Sequence, residues 1–469
     1  MTERKMTSGT PWKQILLFSL PVFIGLLLQQ LYNTVDTIIV GNYASEAALS
    51  AVGTTGSLTF LFLAVANGFS TGAGVLTSQY YGAGRYEEMR KAGGVSVSLL
   101  IVMGAVATIL GLIAGRTALT YLLAVPENFR DIAVTYFLVY CLGLIFQFGY
   151  NIVAALLRSV GDSKASMYFL LIASIVNIGL DLLFVAVFKM GAAGAAIATD
   201  ISQALSCIAA FIYMYRKYPL FRFGREDFRL DGEIISQIAR MGFPVTLQQM
   251  IAAFGILFIQ RTVNGYGQSM TASFTVGSRI ELYAQMPLNS FYMALATYVG
   301  QNIGAGNLDR VRKGARQTML LSFIVTIIIA GLILVFSEQL IRLFGISDQA
   351  AEYCRQHLKV TVMAFVLQSV YLPLFGVFQG AGDGFAITRT AAVALGIRVL
   401  TTYTLCYLPL FGYRIVWWNM MFGFIGGFII TWVHYLRGTW QNKRLFGQVA
   451  SEEGIPARKE HEITGGFLS

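Results

Sequence analysis

Asp36 and Asp181 are carboxylates inside long apolar stretches of this chain. A carboxylate in hydrocarbon costs a few kcal/mol or more, so such a residue normally faces protein or a water-filled cavity. Other oxygen-bearing side chains lie close by in sequence. Asn177 precedes Asp181 by one helical turn, and Thr199 and Asp200 follow on the next apolar stretch. Two carboxylates with an amide and a hydroxyl suit a hard cation such as Na⁺. A crowded pair of desolvated acids suits a proton equally well. Taken singly, each acid also reads as a carboxylate satisfied by neighbouring donors. Two acids at one depth favour a cation site.

The first apolar stretch carries Gln29, Asn33 and Asp36, whose spacings of four and three place them on one helix face. Lipid would leave their polar groups unsatisfied, so this stripe is expected to face protein or water. Pro21, toward the start of the same stretch, removes a backbone hydrogen bond and favours a kink there. That kink reads equally as a packing feature and as a bend that changes during function.

The elements that must position these residues are membrane spans. Of 469 residues, 56% are hydrophobic and 12% charged, with mean hydropathy +0.63. A soluble domain carries about 25% charged residues. Each crossing needs about 20 apolar residues. Spans are expected at 13–39, 49–79, 93–115, 131–157, 166–188, 192–215, 240–262, 271–300, 317–338, 355–378, 387–409 and 413–436. A polar linker, 216–239, and a charged tail, 439–469, lie outside them and read as solvated segments. With twelve spans, roughly 24 of the Lys and Arg residues fall on one side and roughly 7 on the other. Both termini are therefore expected on the cytoplasmic side. The net charge of +10 reflects these loops and not a nucleic-acid partner. The four cysteines show neither metal spacing nor a disulfide framework.

The two halves repeat at an offset of about 222 residues. Ser78-Gln79-Tyr80-Tyr81-Gly82-Ala83-Gly84 matches Gly300-Gln301-Asn302-Ile303-Gly304-Ala305-Gly306, and Gly161-Asp162 matches Gly382-Asp383. Six spans separate the copies, so both halves start on the same side. The expected fold is an all-α integral membrane protein of twelve transmembrane helices in two six-helix lobes, related by a parallel internal repeat. The N-terminal lobe is expected over 1–215 and the C-terminal lobe over 240–438. In the repeat, Asp181 corresponds to Thr402 and Asn177 to Arg398. An arginine there repels a cation, so the cation site is expected in the N-terminal lobe alone. The second lobe has its own polar set, and Gln248, Glu281 and Arg398 there, with Gln29 in the first lobe, are candidates for a substrate cavity. Glu281 also reads as one half of a structural ion pair with Arg398 or Arg279, and that reading is slightly favoured.

These residues resemble a known family. Leu20-Pro21 followed by Asp36-Thr37-Ile38-Ile39-Val40-Gly41, the two Gly-Ala-Gly segments, Val276-Gly277-Ser278-Arg279-Ile280-Glu281 and Val299-Gly300-Gln301-Asn302 are jointly similar to the multidrug and toxin extrusion (MATE) transporters. Their larger superfamily also holds lipid and polysaccharide flippases. The resemblance covers about residues 10–440 and implies cation-coupled export of drugs and toxic compounds. The cation site of archaeal and DinF-like members resembles Asp36, Asn177, Asp181 and Thr199 here. Tyr136 and Asn151 look like supporting residues of that site, and Pro21 resembles a proline whose bending accompanies proton uptake. The chain departs from the NorM-like branch, whose second lobe carries acids on the seventh and tenth spans.

The expectation is a monomeric plasma-membrane antiporter without enzymatic activity or cofactor, coupled to Na⁺ or H⁺. The partners expected are small drug or toxin molecules and the lipid bilayer. No P-loop pattern is present, so ATP is not expected to drive it directly. A flippase for a lipid-linked precursor is the first rival and a channel the second.

Overall fold

The computed structural model describes residues 5–409 and 411–445. The remainder of the charged tail lies outside the described residues. Within them the chain is helical and contains no strand. The first half comprises α1 (Pro11–Tyr43), α2 (Glu46–Ala83), α3 (Tyr86–Thr117), α4 (Glu127–Leu142), α5 (Leu144–Ser159), α6 (Ser163–Asp181) and α7 (Gly191–Lys217). The second half comprises α8 (Gly232–Gly265), α9 (Gln268–Gly304), α10 (Leu308–Val335), the short α11 (Ser337–Arg342), α12 (Asp348–Ala381), α13 (Gly384–Leu405) and α14 (Ile415–Arg437).

Ten of these helices are long and apolar enough to cross a membrane unaided, and the bent pair α4–α5 makes an eleventh span. The twelfth is α9, with 37 residues but a polar composition that includes Arg279, Glu281, Gln285 and Gln301. Its polarity is tolerated because much of the helix is covered by protein: Ser273, Ser290, Gln301 and Asn302 are all buried. The twelve-span, two-lobe architecture expected from the repeat is thus the fold observed.

Local sequence explains the helix ends. Ser45, Asp162, Asp231 and Ser347 each accept a backbone N–H as N-caps of α2, α6, α8 and α12. Gly84 and Gly306, the last residues of the repeated motif, take φ of +74° and +76° and turn the chain between spans in both halves.

Two regions differ from the sequence reading. The segment 216–239 is not a freely solvated loop. Phe221 is fully buried, and Asp227 pairs with Arg90 at 3.1 Å. Ser98 Oγ donates to the Phe228 carbonyl at 2.8 Å, and Lys91 pairs with Asp231 at 2.6 Å. The segment is therefore docked on α3, and α8 begins at Gly232. The fourth span, expected over 131–157, bends by 46° between α4 and α5.

The halves meet at the ends of α2 and α9 nearest the chain termini, hereafter the basic side. A Cβ on Gly82 would overlap the Gln301 carbonyl, and one on Gly304 would overlap the Gln79 carbonyl. The two copies of the repeated motif therefore pack backbone against backbone.

Candidate functional site

Asp36 approaches from the far half of α1. Asp181 is the last residue of α6, where the chain passes into a π-helical turn over Leu182–Val187. Such turns inside helices often mark functional sites. Asp181 is fully buried, Asn177 nearly so, and Asp36 half-buried. The two carboxyl groups lie within interacting distance of one another. Both are acceptors when ionised, so a hydrogen bond between them requires one to carry a proton. Asn177 Nδ2 donates to Thr199 Oγ1 on α7 at 3.4 Å.

What remains unsatisfied defines the chemistry. Asp36 Oδ1, Asn177 Oδ1 and both oxygens of Asp181 are buried without a hydrogen-bond partner. Buried polar atoms are rarely left so. Four acceptor oxygens with no donor fit a bound cation or proton. Among the described residues no three His, Cys, Asp or Glu side chains are grouped to hold a metal ion. A metal here would therefore draw on amide and hydroxyl oxygens as well, which suits Na⁺ better than a transition metal.

Two aromatic residues close the site. Tyr136 on α4 lies in the electrostatic field of Asp36, Asp200 and Asp181. Tyr32, one turn before Asp36 on α1, lies in the field of both Asp36 and Asp181. Tyr32 was not among the expected residues, although its spacing from Asp36 puts it on the same face.

Asp200 packs at the bend in the fourth span. Its carboxylate sits against Gly143, where any Cβ would overlap it. Asp200 Oδ1 is another buried acceptor without a partner. The glycine lets an acid on α7 wedge into the break between α4 and α5.

The remaining expected residues have the following surroundings. Asn151 donates to the Gln147 carbonyl at 2.8 Å within its own helix. Asn33 and Gln29 are accessible, Pro21 is buried within an unbroken α1, and Gln248 is half-buried on α8. In the second half, Thr402 donates to the Arg398 carbonyl at 2.7 Å. Arg398 Nε donates to Asn419 Oδ1 at 2.9 Å. Arg279 is exposed. The nearest partner of Glu281 is neither arginine but His357, at 2.8 Å. A lone histidine in an apolar stretch carries no periodic signal that would have singled it out.

The MatE family model matches residues 21–183 and 244–404, one match in each half. The chain is similar to two Bacillus subtilis proteins. They are the probable multidrug resistance protein YoeA, at 26% identity over 95% of this chain and 97% of that one, and the probable multidrug resistance protein YpnP, at 28% identity over 95% and 99%. Its fold matches a solved structure described as the outward-facing conformation of a multidrug resistance MATE family transporter of the MOP superfamily. The TM-score is 0.88 at 23% identity, over 94% of this chain and 99% of that one.

Proposed function

The chain belongs to the MatE family, and on that premise we propose that it is a secondary antiporter that exports small drug or toxin molecules, often cationic, in exchange for Na⁺ or H⁺. One observation carries this reading furthest: the donorless, buried oxygens of Asp36, Asn177 and Asp181 on helices of a single lobe. The names of the Bacillus subtilis relatives support drugs as the exported class.

The protein lies in the plasma membrane with the basic loops and both termini in the cytoplasm. The lobes divide near the docked segment after α7. One chain holds both lobes and the whole site, so a monomer suffices. With the basic ends of α2 and α9 packed together, the site is reached from outside. A cation entering there binds between Asp36 and Asp181 and favours release of substrate outward. By linkage, substrate binding weakens cation binding by the same factor. Dye efflux from vesicles under separately imposed Na⁺ and pH gradients tests the coupling. Efflux driven by one gradient is expected, and efflux indifferent to both would contradict antiport.

The flippase reading needs central arginines free to meet an anionic headgroup. Arg398 is engaged by Asn419 and acts on Glu281, which weighs against it. Lipid scrambling without dye efflux would favour it nevertheless, and cation flux without substrate would favour a channel.

A further inference from the structure

We propose that Glu281 and His357 form a second ion site, one that binds a proton, in the C-terminal lobe. His357 Nε2 lies 2.8 Å from Glu281 Oε1, and Thr361 Oγ1 donates to the same oxygen at 2.8 Å. A carboxylate only accepts, so Nε2 carries its hydrogen in either charge state of the ring. His357 Nδ1 is buried and has no hydrogen-bond partner. It is the atom whose proton comes and goes.

The surroundings suit a ring that becomes cationic. His357 lies between Phe274 and Trp417, with centroids 5.7 Å and 4.7 Å away and planes tilted by 4° and 15°. Aromatic faces attract a cation placed over them. Glu281 supplies the countercharge at Nε2. Gly277 leaves the ring room on α9, because a Cβ there would overlap Nδ1.

The charged and titratable neighbours are few. From α9 comes Glu281, while Arg279 is exposed on another face. From α13, Arg398 acts on Glu281. From α12 itself, Cys354 senses Glu281. From α14 come Trp417 and Asn419, neither of which titrates. On α11, Glu338 is engaged by Arg342 and Arg355. With Nε2 turned to Glu281, the atom of the pair without a partner is Nδ1, a ring nitrogen that takes a proton.

Position gives the pair its meaning. At the offset that relates Arg398 to Asn177 and Gln368 to Gln147, His357 corresponds to Tyr136. The repeat therefore places His357 where the other lobe has Tyr136 beside its acids, while Glu281 corresponds to Thr59 on α2.

The test reads proton binding without transport, so its failure and failure of the antiport reading are distinguishable. Purified full-length protein carrying ¹⁵N-labelled histidine is titrated by NMR. The chain has three histidines, and His434→Gln and His461→Gln assign the third by subtraction. His357 is expected to pass from the Nε2-protonated tautomer to the doubly protonated ring as the pH is lowered. Glu281→Gln is expected to displace that transition by at least about half a pH unit and to alter the pH profile of efflux. A wild-type ring that stays neutral throughout overturns the proposal, as does a transition unmoved by Glu281→Gln.

Discussion

Gln79 and Gln301 occupy matching positions of the repeat and make the same two bonds in opposite directions. Gln79 Nε2 donates to the Gly380 carbonyl at the end of α12, and its Oε1 accepts from the Leu445 amide at 3.0 Å. Gln301 Nε2 donates to the Ser159 carbonyl at the end of α5, and its Oε1 accepts from the Met6 amide at 2.8 Å. Each glutamine thus ties its own lobe to the other and to a residue near one end of the described chain, Leu445 or Met6. All four partners are buried backbone groups, so each bond lost leaves an unsatisfied group behind.

Loosening this latch should expose the basic side. Gln301→Ala removes two buried bonds, at a cost on the order of 2 kcal/mol. In a background lacking the four native cysteines, Ser159→Cys should then react with an impermeant maleimide on the order of ten-fold faster in inside-out vesicles. Gln79→Ala should act in the same direction, because its bonds close the same seam. Equal labelling rates with and without the glutamines would remove the latch from the account.

The wedge of Asp200 into Gly143 predicts a coupled pair. Gly143→Ala puts a methyl group where the carboxylate sits. The expected loss is about 1–3 kcal/mol, read as a lowered thermal midpoint in detergent. Asp200→Ala in the same chain should recover much of that loss, giving a clear coupling energy in a double-mutant cycle. Simple additivity of the two changes would mean that the acid does not pack against Gly143.

Asp162 offers a pH-dependent test outside the membrane spans. Burial alone would raise its carboxyl, but hydrogen bonds from Tyr218 and Lys217 and the cap to the Ala165 amide hold it below its ordinary value of 3.8. A group depressed by folding stabilises above its unfolded value and loses that contribution as pH falls through the folded one. Asp162→Asn should therefore destabilise by about 1 kcal/mol at neutral pH. The gap to wild type should narrow only below about pH 4. A gap that persists unchanged into acid would show that charge on Asp162 contributes nothing.

Much of this was legible in the chain because membranes constrain it strongly. Apolar length located the spans, loop charge supported their number, and the repeat divided them into two lobes. The clustering of Asp36, Asn177, Asp181 and Thr199 followed from spacing and depth. The bend at Gly143 was not legible, because the acid that packs against it, Asp200, lies on another helix. The docking of 216–239 escaped because charge there reads as solvation, whereas Phe221 and Asp227 are the anchors. Glu281 was visible as an intramembrane acid, but its partner is 76 residues away in sequence, at the only histidine near that depth among the described residues. Hydropathy does not reveal pairs of that kind.

The central claim is that Asp36 and Asp181 hold the coupling cation together. It is tested most directly by gradient-driven dye efflux from vesicles containing purified wild type, Asp36→Asn or Asp181→Asn, with circular dichroism to check that each variant is folded. Either substitution is expected to abolish coupled efflux, a loss of at least about ten-fold, while helical content is retained. Normal gradient-driven efflux in both folded variants would contradict it.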